Sequence, residues 1–214
     1  MEALNGVEPV ASPPSDAGYR AAFTAWLAGL GREARELGSL LERDATPEAV
    51  RRFAAETLNQ LLYAVDLVPE GVEALAYLEG LFTFRVLARQ CCEAQPDLAP
   101  ADSSGTLSRL AGEAHWVESF LGAEDYARLA AIVQVQRGRR SRDRSPTELL
   151  EAGEARSAAV QEAQAWAERY RPPNFGAGSH DLVRLLSFLR TRVRRTPIQP
   201  AASAALADNK SAEE

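Results

Sequence analysis

The 214 residues carry a formal net charge of −6, with 46% hydrophobic and 25% charged residues. That balance excludes a wholly disordered chain and suffices to bury a core, as one large domain or two small ones. Ala, Leu, Glu and Arg dominate and are good helix formers. β-Branched and aromatic residues form no alternating runs, so no strands are expected.

Residues 1–15 contain Pro9, Pro13 and Pro14 among Ser, Ala and Gly, and read as a disordered arm. Ser15 and Asp16 are good cap residues for a first helix. Phe23, Trp26, Leu30, Ala34, Leu37 and Leu41 recur at spacings of three and four on one of its faces. Gly29, Gly31 and Gly38 weaken that helix and leave room for a bend. Thr46-Pro47-Glu48 is a cap, a Pro at the first helical position and an acid in the first turn. The second helix then runs to about Ala64–Val65, and a third starts at Pro69-Glu70 and runs to about Ala94. Residues 95–105 (QPDLAPADSSG) read as a loop and a candidate internal boundary. Helices follow over about 106–120 and 124–137. Ser145-Pro146-Thr147-Glu148 repeats the start signal and opens a helix to about Tyr170. RPPNFGAG (171–178) is a turn, Ser179 caps a last helix to about Arg195, and the chain from Thr196 reads as a disordered tail. The expected fold is all-α: a compact bundle of six or seven helices over 16–195, built on a buried helical hairpin at about 46–94. One core for both halves is expected, because 106–195 has few large apolar residues to bury alone.

The stretch from Leu58 to Ala88 is mostly apolar, yet Asp66, Glu70, Glu73, Glu79 and Arg85 interrupt it. A membrane span needs about 20 uninterrupted apolar residues, so a hairpin of two buried helices fits better. Pro69 disfavours helical geometry at Val68 and forces the first of them to stop. Asp66 can accept from backbone N–H groups freed at the turn. Glu70 and Glu73 suit the positive end of the next helix. Val65-Asp66-Leu67-Val68-Pro69-Glu70, followed by Leu75-Ala76-Tyr77-Leu78-Glu79, resembles the signature of the YkvA-like proteins, small bacterial helical proteins grouped as a domain of unknown function. Asp66, Pro69, Tyr77 and Leu78 match their pattern, and Glu70 and Glu79 stand for Asp. Tyr63-Ala64 replaces the usual Ser-Pro, Ala76 a Gly and Gly80 an Asp. The similarity spans about residues 46–92 and implies a helical hairpin with acids at fixed places, but no reaction.

Three carboxylates, Asp66, Glu70 and Glu79, could hold Mg²⁺ or Ca²⁺ if the following helix packed back across the turn. The plainer reading makes them turn and cap residues. No His, Lys or Ser is tied to them by spacing, and His115 and His180 lack zinc-ligand neighbours. Neither a metal nor a cofactor is expected. Cys91 and Cys92 are adjacent and point about 100° apart on a helix, poorly placed for a disulfide. No P-loop, G-x-G-x-x-G or G-x-S-x-G occurs. No basic segment precedes an apolar one at the N-terminus, so no secretory signal is expected and the chain reads as cytoplasmic.

Positive charge is concentrated in two places. Residues 137–144, RGRRSRDR, hold five Arg and one Asp, and residues 184–195 hold five Arg and no acid. The rest is strongly acidic, and Lys210 is the only lysine. Leu182, Leu185, Leu186, Leu189 and Val193 form one stripe of the last helix, with Arg190 and Arg194 among the arginines opposite. Arg137, Arg139 and Arg140 lie in the basic loop. For the last helix the first reading is a solvated face; the sharper one is an anionic surface, whether membrane lipid, nucleic acid or an acidic partner. The basic loop reads as a linker between helices, of a kind that often binds weakly. Aromatic residues for base stacking are missing, so no specific nucleic acid is expected. The chain therefore reads as a non-enzymatic interaction or scaffold protein acting through protein contacts, with weak contact to an anionic surface as a secondary expectation. The alternatives are a divalent-cation-dependent enzyme built on Asp66 and a peripheral membrane protein docked by the last helix.

Overall fold

Ser15 opens the first helix as its spacing predicts: its side-chain oxygen accepts from the Gly18 N–H at 3.2 Å. A computed structural model describes residues 14–64, 73–140, 144–151 and 153–198. Asp66, Pro69 and Glu70 lie outside the described residues, as do most of the expected N-terminal arm and C-terminal tail. The described elements are all helices: α1 (Asp16–Glu42), α2 (Glu48–Ala64), α3 (Glu73–Ala94), α4 (Leu98–Ala101), α5 (Thr106–Leu121), α6 (Ala123–Gln136), α7 (Pro146–Glu151), α8 (Gly153–Arg169) and α9 (Asp181–Arg195). The fold is an all-α multi-helix bundle. Six of these helices match expected ones, α7 and α8 together occupy the span of the seventh, and α4, inside the expected 95–105 loop, is a short addition.

The helix starts follow their chemistry. At α7, Ser145 Oγ accepts from the Glu148 N–H at 3.2 Å while Glu148 accepts from the Ser145 N–H at 3.0 Å, a reciprocal capping box. The single helix expected from 146 to 170 is instead two, α7 and α8, with residue 152 between them outside the described residues. Arg156 donates to the carbonyls of Leu149 and Leu150 and so serves the C-terminal end of α7. Ser179 does not cap α9. His180 occupies that position without a side-chain bond, and Asp181 in the first turn instead accepts from the N–H groups of Gly176 and Gly178 at 2.9 Å each. The 95–105 connection is closed by another acid: Asp102 accepts from the Leu107 N–H at 2.7 Å and the Ser104 N–H at 2.9 Å.

One hydrophobic cluster contains buried side chains from Tyr19 to Val193, on both sides of that connection. At its centre lies α3, against α1, α2, α5, α6 and α9. Residues 84–88 of α3 are buried consecutively, as a helix surrounded on all sides requires. One of them is Arg85, at 0% exposure the largest fully buried side chain described. Its Nε donates to Glu113 of α5 at 2.8 Å, its Nη2 to Glu33 of α1 at 3.1 Å and its Nη1 to the Leu81 carbonyl at 3.1 Å. The guanidinium carbon sits 3.8 Å from the centroid of the Trp26 ring. Burial pulls the Arg85 pKa down, and Glu33 and Glu113 push it back up. Arg109 extends the network, donating to Glu33 at 3.0 Å, Glu113 at 3.3 Å and Glu36 at 3.3 Å. Charges from three helices thus meet inside the bundle.

The glycines of α1 have two roles. Gly31 and Gly38 face α8: a Cβ on Gly31 would stand 3.3 Å from the Ala167 carbonyl oxygen, and one on Gly38 would touch Val160 and Ala163. They allow the two backbones to approach closely. Gly29 faces only the Arg32 side chain.

Two outcomes follow for urea unfolding. Arg85→Met leaves the buried Glu33 with the half-buried Arg109 as its remaining partner and costs about 3–5 kcal/mol; adding Glu33→Gln recovers part of that loss, because the under-compensated buried charge is gone. Gly29→Ala stabilises by about 0.5–1 kcal/mol, whereas Gly31→Leu forces α1 and α8 apart and destabilises by about 1–3 kcal/mol.

Candidate docking face on the last helix

The apolar stripe of α9 is inward as its spacing predicts: Leu182, Leu185, Leu189 and Val193 are buried. Two residues of α6, one turn apart, hold the helix down. Arg128 donates from Nε to the Val193 carbonyl at 2.7 Å and from Nη2 to the carbonyls of Arg194 and Thr196 at 3.2 Å each. A cation thereby meets the negative end of the α9 dipole. Asp125, itself buried, accepts from Arg190 Nε at 2.9 Å and from Arg194 Nε and Nη2 at 2.9 and 3.1 Å. Hydrogen bonding from Arg194, helped by the nearby Arg190 charge, holds the Asp125 carboxyl below its ordinary value against the opposing effect of burial. The structure thus brings Arg190 and Arg194 together on one carboxylate of their own chain.

The other singled-out residues also have internal partners. Glu79 accepts from Arg192 Nε at 3.1 Å and so ties α3 to α9. Tyr77 packs edge-on against Tyr170 and Trp166, with ring centroids 5.3 and 6.3 Å away. In the basic loop, Arg137 donates to the buried Glu56 at 3.1 Å and Arg140 to Glu148 at 2.8 Å. The Arg139 carbonyl accepts from Asn59 at 3.4 Å. Burial raises the Glu56 carboxyl above its ordinary value, with Arg137 acting the other way. The two Arg segments therefore engage different carboxylates, Asp125 and Glu79 for α9 and Glu56 and Glu148 for the loop. Among the described residues no group of three or more His, Cys, Asp or Glu is placed to hold a metal, and no helix is long and apolar enough to cross a membrane.

The face of α9 away from the core is not uniformly polar. Val183 is 66% exposed; among the described residues the only other exposed large hydrophobic side chain is Ile198, at 37%. With Leu75 from the start of α3 and Phe188, Val183 lines an open groove of about 600 Å³ that Arg184 and Arg192 flank. A smaller hollow of about 290 Å³, reaching Asn174 and Asp181, shares Leu75 and Arg184 with it. Arg184 makes no side-chain hydrogen bond or ion pair with the described residues, unlike Arg190, Arg192 and Arg194. Sequence reasoning missed Leu75 and Val183. The available signal was Val183, an apolar residue lying off the stripe and among the arginines.

Comparison with protein-family models, curated proteins and solved structures finds no match.

Asp125→Asn removes the charge that Arg190 and Arg194 share and loosens α9. The Asp125 pKa is depressed in the folded protein, so its contribution to stability is present above the ordinary value of 3.8 and is lost as pH falls through the folded value. In urea melts the variant is less stable than the native chain at neutral pH, and the gap closes on acidification below that value.

Proposed function

We propose that this chain is a non-enzymatic helical interaction protein that binds an acidic, amphipathic segment of a partner protein in the groove between α9 and the start of α3. The observation that carries the reading is the exposed Val183 beside Arg184, an apolar contact point with an uncommitted cation, on a helix fastened to the bundle from its other side. Apolar anchors at helical spacing would meet Leu75, Val183 and Phe188, and an acid on their flank would meet Arg184. Rigidity favours such binding, because a pre-organised surface loses little entropy on association.

A protein segment fits this face better than a lipid surface does. Three of the five α9 arginines are committed to Asp125 and Glu79, which lowers the positive charge left for anionic headgroups. An open groove also suits an inserted side chain better than a flat bilayer. The YkvA-like resemblance remains part of the proposal, resting on Tyr77, Leu78 and Glu79 of α3 and on Asp66, Pro69 and Glu70 beyond the described residues.

The test is a photocrosslinking residue, benzoylphenylalanine, in place of Val183, irradiated in an extract of the source cells, followed by sequencing of the adduct. A captured peptide that is acidic and amphipathic, and that is lost when Arg184→Glu is added, supports the reading. Adducts that survive Arg184→Glu, a basic captured segment, or recovery of phospholipid alone would overturn it.

A further inference from the structure

The groove on α9 has an occupant within reach before any partner arrives: the chain that continues from α9 itself. Val183, Ser187 and Thr191 line the groove, as do Arg184, Phe188 and Arg192. Each set is spaced by four, one row along a helix, so the groove runs to within about one turn of Arg195, the last helical residue. Arg128 of α6 holds the carbonyls of Val193, Arg194 and Thr196, which fixes where the chain leaves the bundle. Ile198 is exposed there.

Residues 199–214 follow and read QPAASAALADNKSAEE. They hold three acids, Asp208, Glu213 and Glu214, and one lysine, Lys210, a net charge of −2. Leu206 is their one large apolar residue, set among alanines. The charge is opposite to that of Arg184, which has no side-chain hydrogen bond or ion pair with the described residues. The reach is sufficient. Val183 stands about 18 Å back along α9 from Arg195 at 1.5 Å per residue. The stretch from Ile198 to Leu206 spans up to about 26–29 Å when extended. A single leucine is a weak ligand, but a short tether sets its concentration at the groove in the mM range, so a contact with a dissociation constant of about 1 mM is half occupied.

We propose that residues 199–214 occupy the α9 groove of their own chain, with Leu206 against Val183 and Leu75 and Asp208 facing Arg184, so that a partner segment has to displace them. The proposal rests on the docking reading of this groove and adds competition to it. Apparent affinity for a partner is lowered by the fraction of chains whose groove is filled. Residues 1–13 also carry acids, Glu2 and Glu8, but they lead into α1, whose Gly18 faces Trp116 of α5, and not out of the helix that builds the groove.

The test uses the full chain with benzoylphenylalanine in place of Val183, irradiated first as dilute purified protein. Peptide mapping is expected to show an adduct with 199–214 inside a single chain, insensitive to dilution and lost when Leu206→Asp and Asp208→Lys are added together. An adduct with residues 1–13, a crosslinked dimer, no adduct, or a 199–214 adduct that survives the double substitution overturns the proposal. In cell extract the double substitution is expected to raise capture of the partner segment. Capture that the substitution leaves unchanged overturns the competition while the docking reading stands. A 199–214 adduct with no partner captured by either chain supports occupancy by the chain's own segment and counts against the docking reading.

Discussion

Arg85 carries a full charge with no exposed surface, and three helices are arranged around it. The effective penalty for burying an ion is several kcal/mol even after relaxation, and it is offset only by close and complete hydrogen bonding. Here the guanidinium's partners come from different parts of the chain: one carboxylate from α1, one from α5, a carbonyl from the preceding turn of α3 and an aromatic face below, while one oxygen of Glu33 has no partner among the described residues. Leucines would tolerate a sliding helix, because dispersion is non-directional. A guanidinium between two carboxylates does not. The rotation of α3 and the registers of α1 and α5 against it are therefore coupled, and the surrounding core packs within that constraint.

The same device recurs at lower cost near the surface. Asp125 gathers two arginines of α9, Arg128 takes the carbonyls at its end, and Glu79 takes Arg192. Charge that looked like an exposed basic face is largely spent on fixing α9 to α6 and α3. What remains at the groove, among the described residues, is narrower: the exposed Val183 beside Arg184, whose side chain has no hydrogen bond or ion pair there. In the basic loop the pattern is similar: Arg137 and Arg140 reach carboxylates of α2 and α7, while Arg139 alone has no side-chain partner among the described residues.

Local signals were legible in the sequence. Ser15 and the Ser145–Glu148 box act where their spacing places them, and the inward stripe of α9 is the one its periodicity gives. These depend on neighbours within a turn or two, which a sequence displays directly. The missed features depend on distant pairs. Arg85 read as an interruption of an apolar run because its partners lie 52 and 28 positions away, and nothing in a single chain marks Glu33 or Glu113 as theirs. Gly31 read as a weak point because the backbone it admits belongs to α8. Ser179 has a cap's residue type, but it is Asp181 that closes the preceding loop. Of the acidic corner, Glu79 is engaged by Arg192, while Asp66 and Glu70 lie outside the described residues.

The central claim is that Arg85 is a fixed, doubly paired charge inside the bundle, and side-chain ¹⁵N NMR addresses it directly. If the claim holds, the Arg85 Nε–H gives a resolved signal whose hydrogen exchanges only as slowly as the most protected α3 amides, since its release requires the three helices to separate. A fast-exchanging, averaged guanidinium signal that leaves the α3 amides protected would contradict it, and would make the Arg85 pairs a consequence of packing rather than its constraint.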